Sequence, residues 1–316
     1  IIIGYDTREL SYEISIKIKK YLFNKGIDTI LSSCPIPTPA VSFSVKNKGA
    51  DLGIIITASH NSKIWNGIKI KNKYGQSISE SEASKLTEII YKEKIDMDEF
   101  NKFDLINLKE NDLTDLLPDY INSIKKIIDV NKIKNSKLSL IVDCMNGTSK
   151  SILEKIIGEG ECKISEINNN NDSSFPGIKQ PEPIEENLSG LKLKVKELNA
   201  DAGFAFDADS DRVGVIDNKT NYIEAPFVFC IIADHVLGNK KINKNISTTV
   251  SMTSMIDAIT KKYNINCFRT KVGFKYVAPN MEENDSIIGG EESGGYAYSE
   301  HLLERDGIAS SLLIVK

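Results

Sequence analysis

Cysteine is scarce and unpaired in spacing. The 316 residues hold five, Cys34, Cys144, Cys162, Cys230 and Cys267, with no Cys-x-x-Cys pair. An odd, scattered set argues against a disulfide frame or a zinc site and for reduced thiols in the cytoplasm. A charge excess is lacking as well: the net charge is −4, and the lysines are spread along the chain rather than gathered on one stripe, so no nucleic-acid footprint is visible. Long apolar runs are missing too. The longest mainly apolar stretch, Ala225 to Leu237, is interrupted by Asp234 and His235 and falls short of the roughly 20 residues a membrane span needs. No basic-then-apolar leader precedes Ile1. The absences leave a cytoplasmic chain with a small partner, no nucleic acid and no membrane; its oligomeric state leaves no mark in the sequence.

What is present is a strand-to-loop design used three times. The apolar run Leu52-Gly53-Ile54-Ile55-Ile56 leads into Thr57-Ala58-Ser59-His60-Asn61. Ala202-Gly203-Phe204-Ala205-Phe206 leads into Asp207-Ala208-Asp209-Ser210-Asp211-Arg212, and Ser286-Ile287-Ile288 leads into Gly289-Gly290-Glu291-Glu292-Ser293-Gly294-Gly295. Open α/β sheets place ligands at the carboxyl ends of such buried strands. The first two runs share Ala-Asp-x-Gly at matching offsets, which hints at a duplicated domain whose copies carry different polar apices.

Strand and helix patterns alternate throughout, which predicts α/β layers. Apolar spacing predicts helices over Ser11 to Asn24, Ala40 to Asn47, Leu117 to Ile128 and Phe227 to Leu237, and a strand over Leu138 to Val142. Cys34-Pro35-Ile36-Pro37-Thr38-Pro39 reads as an extended connector, since each proline disfavours helix for its predecessor. Length alone allows roughly two domains; the three apices argue for three. The expected architecture is three similar α/β domains, each a mixed sheet with helices, around a shared active-site cleft. Their limits are placed at residues 1–134, 135–238 and 239–316, with Gly238 to Lys241 as the second link.

Each apex suggests its own chemistry. A serine hydroxyl such as that of Ser59 needs a base or a charged environment to become a nucleophile. Neighbours on an extended segment point in different directions, so His60 does not make a hydrolase relay with it. Asp207, Asp209 and Asp211 alternate after a strand, which would aim three hard oxygen ligands at one point with Ala208 and Ser210 facing away. The same segment also describes an acidic surface turn. It is no EF-hand, because Arg212 stands where that loop needs glycine and Asn218 where it needs glutamate. The third apex sets carboxylates and a hydroxyl on a glycine-freed backbone, a set suited to vicinal sugar hydroxyls, although glycine-rich acidic turns are common without ligands.

Six further segments occur in order beside the apices. They are Gly4-Tyr5-Asp6-Thr7-Arg8 with Ser11, Trp65-Asn66-Gly67-Ile68-Lys69, Asp143-Cys144-Met145-Asn146-Gly147, Pro181-Glu182-Pro183 with Glu186-Asn187-Leu188, Thr270-Lys271-Val272-Gly273-Phe274-Lys275, and Glu304-Arg305-Asp306-Gly307. Together they resemble the α-D-phosphohexomutase superfamily, the phosphoglucomutases and phosphomannomutases, over nearly the whole chain. Two positions depart from its pattern: Ser62 stands where proline usually follows Asn61, and Trp65 where tyrosine is common. Losing the proline should loosen the loop without removing a reacting group.

The resemblance implies that Ser59 is phosphorylated and interconverts hexose 1-phosphate and hexose 6-phosphate through a 1,6-bisphosphate. It implies Mg²⁺ held by Asp207, Asp209, Asp211 and the Ser59 phosphate. It implies Arg8, Lys69 and His60 beside the transferring group, with Lys69 as general acid/base if cations around it lower its pKa. Arg212, Glu291, Ser293, Lys275, His301 and Arg305 would bind the sugar phosphate. Glu-Glu-Ser in the third apex points to glucose ahead of glucosamine, with mannose the nearest alternative. It also implies further chain upstream and a missing final domain that grips the second phosphate, so that these residues alone would be inactive. Two other classes remain open: a haloacid-dehalogenase-type phosphatase, which wants threonine or valine at Asp211, and a non-catalytic sugar-phosphate module.

Overall fold

A computed structural model describes residues 1–92, 113–240 and 242–315. Sheet 1 holds β1 (Ile2–Tyr5), β2 (Ile30–Ser32), β3 (Leu52–Ile56), β4 (Ile68–Asn72) and β5 (Leu113–Thr114), with helices α1 (Ser11–Asn24), α2 (Thr38–Asn47) and α3 (Glu80–Lys92). Helices α4 (Leu117–Ile127) and α5 (Val130–Lys134) lead into sheet 2. That sheet holds β6 (Ser139–Asp143), β7 (Lys163–Ile167), β8 (Ala202–Phe206), β9 (Val213–Asp217) and β10 (Tyr222–Ile223), with α6 (Ile152–Ile157) and α7 (Ser189–Glu197). After α8 (Ala225–Lys240), sheet 3 holds β11 (Asn245–Thr249), β12 (Cys267–Thr270), β13 (Ser286–Gly290) and β14 (Tyr296–Tyr298), with α9 (Met255–Tyr263), α10 (Phe274–Glu283) and α11 (Gly307–Val315).

The three sheets are copies of one plan. Their orders are β4-β3-β1-β2-β5, β10-β9-β8-β6-β7 and β12-β11-β13-β14. In each, a central strand (β1, β6, β11) pairs in parallel on both sides, and the third strand (β3, β8, β13) then pairs antiparallel with the fourth. The turn between the third and fourth strands is the apex in every copy: Ser59 after β3, Asp207 to Asp211 after β8, Glu291 to Gly295 after β13. Triplication therefore carries the three different polar loops to equivalent places.

One apolar cluster runs through all three units, from Val41 and Ile55 through Val142 and Phe206 to Phe229, Ile246 and Ile308. Helix α8 is apolar enough to be largely buried between sheets 2 and 3, and α4 packs against both α2 and α6. The sequence expectations need three adjustments. Helix α2 starts at Thr38, inside the expected connector, because Pro39 falls in its first turn, where a missing N–H costs nothing. Helix α8 runs on to Lys240 through most of the expected link, whose last residue, Lys241, lies outside the described residues. The aspartates of the second apex do not alternate along a strand: β8 ends at Phe206, and the Ser210 N–H closes a turn on the Asp207 carbonyl at 2.9 Å.

Candidate active site

Ser59 stands in the left-handed region at φ 51°, a conformation that costs a non-glycine residue about 1 kcal/mol. The strain is offset locally, since the Ser59 N–H donates to Thr57 Oγ1 at 2.9 Å, and Thr57 Oγ1 in turn donates to Asp6 Oδ2 at 2.7 Å. The loop is then tied by Arg8. Its guanidinium donates to the carbonyls of Ser59 and Asn61, each at 2.6 Å, of Ser62 at 2.8 Å and of Trp65 at 3.2 Å, while Nε binds Asp6 at 3.0 Å. Four carbonyls on one fixed fork hold the loop at the position where the sequence lacks proline.

This conformation sends the Ser59 hydroxyl across to the second unit, where it donates to Asp207 Oδ2 at 2.8 Å. Asp207, Asp209 and Asp211 are each fully buried and offer carboxylate oxygens within 4.8 Å of one another. The loop beneath them is shaped by close backbone approach: a Cβ on Gly147 would lie 2.6 Å from the Ala208 carbonyl oxygen, and the Thr148 N–H donates to that oxygen at 2.9 Å. Thr38, at the start of α2, caps the same loop from sheet 1, donating from its N–H to the Asp209 carbonyl at 2.9 Å and from Oγ1 to the Asp209 carboxylate.

Cations from the other two units meet the triad. Lys69 Nζ, on β4, lies 2.5 Å from Asp209 Oδ2 and 2.8 Å from Asp211 Oδ2, and Arg305 Nη2 lies 2.7 Å from Asp211 Oδ2. Burial raises all three carboxyls. At Asp207 the neighbouring carboxylates add to it, so its pKa stands well above the usual range; at Asp211 the cations Arg305, Lys69 and Arg212 win, and at Asp209 Lys69 does, so both stand below it. The residues fit a hard cation on their own terms. Asp209 Oδ1 and Asp211 Oδ1 are buried with no hydrogen-bond partner, and unsatisfied buried carboxylate oxygens are what a divalent ion takes.

The third apex adjoins through Arg305, whose Nη1 reaches Glu291 Oε2 at 3.3 Å while Nη2 stays on Asp211. A Cβ at Gly295 would stand 2.3 Å from Arg305 Cδ, so any larger residue there would displace the Arg305 side chain. The backbones also join, with the Val213 N–H donating to the Gly294 carbonyl at 3.1 Å. A seryl hydroxyl, a buried carboxylate triad and an acidic glycine loop thus share one cleft among three units of one topology.

The three units are matched in known proteins. Residues 1–96, 118–220 and 227–316 match, in order, the α/β/α domains I, II and III described for phosphoglucomutase/phosphomannomutase. A protein of Thermococcus kodakarensis named phosphoglucomutase/phosphomannomutase is 34% identical over 316 residues, covering 100% of this chain and 68% of that one. The chain belongs to the phosphoglucomutase/phosphomannomutase family. A phosphoglucosamine mutase of Methanocaldococcus jannaschii is 30% identical over 326 residues, covering 100% of this chain and 68% of that protein. A Thermus thermophilus crystal structure carrying a provisional phosphomannomutase name superposes with a TM-score of 0.88 at 28% identity, over 99% of this chain and 70% of that one. The family's members are phosphohexomutases, so this chain is of an enzyme family that isomerises sugar phosphates by phosphoryl transfer.

Within this family site the sequence-predicted residues divide. Ser59, Lys69, Asp207, Asp209, Asp211, Glu291 and Arg305 converge, and half-buried Ser293 stands two residues beyond Glu291 on the same turn. Arg212 is nearby, its N–H on Asp207 Oδ1 at 3.0 Å and its Nη1 on Glu182 at 3.2 Å; His60 Nε2 lies 3.9 Å from that same Glu182 carboxylate. Burial and Arg212 hold the His60 pKa below the ordinary imidazole range.

Four expectations meet a different geometry. Arg8 lies beside Ser59, but its guanidinium is taken up by the loop carbonyls. Lys69 has the cation Arg305 beside it, and burial and Arg305 pull its pKa down, but Asp209 and Asp211 outweigh both and hold it well above the ordinary range. His301 lies behind the site, 7% exposed, its Nε2 2.9 Å from Asp306 Oδ2 and its ring packed beside Phe43 and Tyr120. Lys275 lies on the rim, with Nζ 3.7 Å from Glu80 Oε1 and over the Tyr276 ring. Four further residues shape the site: Asp6, Thr38, Thr57 and Glu182. Asp6, Thr57 and Glu182 stand within the motif segments of the sequence, which is a signal; Thr38, in a proline-rich connector, carries none.

Proposed function

We propose that this chain interconverts hexose 1-phosphate and hexose 6-phosphate, with glucose preferred, using Ser59 as the phosphoryl carrier. The observation that carries the reading is the 2.8 Å contact of Ser59 Oγ with Asp207 at the mouth of the buried triad. In the forward step the sugar's free hydroxyl oxygen attacks the phosphorus on Ser59, the bond from phosphorus to Oγ breaks, Lys69 Nζ gives a proton to the departing Oγ, and the sugar's hydroxyl proton passes to the Nζ so vacated. After the 1,6-bisphosphate turns over, Ser59 Oγ takes back the other phosphate. Asp207, Asp209, Asp211 and a phosphate oxygen on Ser59 would hold Mg²⁺, which offsets their negative charge and stabilises the transferring group. Lys69, kept as the ammonium by the carboxylates, is the group that would exchange the proton between the sugar hydroxyl and Ser59 Oγ. Arg305 and Arg212 neutralise charge around the transferring group. Glu291 and Ser293 receive the sugar hydroxyls.

Glucosamine phosphate is the second reading, favoured by the names of relatives 30–32% identical, among them phosphoglucosamine mutases of Methanocaldococcus jannaschii and, described as probable, of Methanosphaera stadtmanae. Mannose phosphate is the third, on the Thermococcus name. We also place domain limits at 134/135 and 238/239, the second within the last turn of α8, and a cytoplasmic setting, on five free cysteines.

The test is turnover by the full-length protein of the 1-phosphates of glucose, glucosamine and mannose with trace bisphosphate, before and after chelation. Glucose 1-phosphate should be fastest, with activity lost on chelation and restored by Mg²⁺. A higher kcat/KM for glucosamine 1-phosphate would move the assignment to that sugar. No turnover of any of them would leave a binding module and sink the reading.

A further inference from the structure

Lys71 is a fully buried lysine that the chemistry above does not use. It lies two residues beyond Lys69 on β4, so the two side chains leave the same face of the strand. Lys69 reaches the aspartate triad, whereas Lys71 Nζ reaches the third unit, 2.5 Å from Glu304 Oε2, and also lies 2.9 Å from Ser77 Oγ. Ser77 Oγ also donates to Glu304 Oε2 at 2.9 Å, and Glu304 is fully buried. Such a pair is a costly way to join two units, because taking both charges out of water consumes much of the attraction between them.

The next residue explains the placement. Glu304 Oε1 accepts from the Arg305 N–H at 3.1 Å and stands 3.8 Å from Arg305 Nε. Arg305 is the one side chain among the described residues that touches both the triad, at Asp211, and the sugar loop, at Glu291. The contacts therefore close a ring of alternating charge that leaves β4 at Lys71, passes through Glu304, Arg305 and Asp211, and returns to β4 at Lys69. All three units contribute a member.

We propose that Lys71 and Glu304 are positioning residues for phosphoryl transfer: they set the register of the third unit against the Ser59 strand, and so hold Arg305 where it spans Asp211 and Glu291. The inference rests on the mutase reading. Loss of the pair should misplace the sugar loop relative to the phosphoserine, and misplacement of about 1 Å costs on the order of 100-fold in rate. The effect belongs to kcat, since the groups that hold the sugar are all still present.

The experiment compares the full-length wild type with Lys71→Met, with Lys71→Met/Glu304→Leu, and with Ser77→Ala, reading thermal midpoint, kcat and KM. Replacing both charges by apolar side chains removes the buried-charge penalty, so the double variant should regain most of the stability lost by the single one. Its kcat should nevertheless stay at least about tenfold down, with KM within about threefold of wild type. Ser77→Ala buries no new charge and keeps the fold, so it reads the same effect if the double variant does not fold; it should lower kcat by about threefold with a midpoint lowered by only a few degrees. A double variant whose kcat recovers with its stability, or a Ser77→Ala enzyme as fast as wild type, would reduce the pair to a structural strut and overturn the inference alone. A wild type without turnover would overturn it together with the mutase reading.

Discussion

Arg8 shows how much of this site depends on one side chain that need not touch substrate. Its guanidinium donates to the carbonyls of Ser59, Asn61, Ser62 and Trp65, and backbone carbonyls leave no mark in the sequence, so its role could not be read from residue types. A lysine keeps the charge but not the fork. Arg8→Lys should therefore lower turnover by at least about tenfold by releasing the Ser59 loop, while the fold persists because Asp6 keeps a cation beside it. Steady-state kinetics with a thermal melt check it. Turnover equal to wild type would show that the four carbonyl bonds are dispensable. Lys69 makes the converse point: its motif was legible, but the carboxylates that surround it come from 140 and 142 residues away, and those partners reverse the direction its pKa was expected to take.

At the scale of elements, what was legible followed from short-range physics. Apolar runs ending in polar apices marked β3, β8 and β13, and apolar spacing marked α1 and α4 within a residue. The turn of the second apex was not legible, because its shape depends on Gly147 from another loop. A Cβ there would meet the backbone of Ala208 at 2.6 Å, and a backbone cannot swing aside as a flexible side chain can. Gly147→Ala should cost about 1–3 kcal/mol of stability and should weaken divalent-ion binding together with it, as calorimetry on the purified variant would show. Loss of stability with unchanged metal affinity would separate that glycine from the triad. His301 was misplaced for a related reason: its partners Asp306, Ser123 and Tyr120 belong to α4 and the approach to α11, elements that meet only in the tertiary fold.

At the scale of the molecule, three copies of one sheet plan meet around charges that none of them could bury alone. Glu304 records this. Burial raises its pKa, Lys71 and Arg305 lower it, Asp211 raises it again, and the balance stands below the ordinary value of 4.5. A carboxyl depressed by folding contributes stability that is complete above its unfolded pKa and is lost as pH falls through the folded one. The thermal midpoint should therefore drop as pH is taken below about 4.5. Glu304→Gln, already destabilised at neutral pH, should show a shallower drop. Parallel curves for the two proteins would mean that Glu304 is not held ionised by its neighbours.

The central claim is that Ser59 carries the phosphoryl group. Incubating the full-length protein with glucose 1,6-bisphosphate and Mg²⁺, then mapping phosphate by mass spectrometry of its peptides, addresses that claim most directly. The expected result is a single phosphate on the peptide containing Ser59, absent from Ser59→Ala and removed when glucose 1-phosphate is added. An unmodified Ser59 in a protein that still turns over hexose phosphate, or a phosphate on another residue that discharges to the sugar, would contradict it.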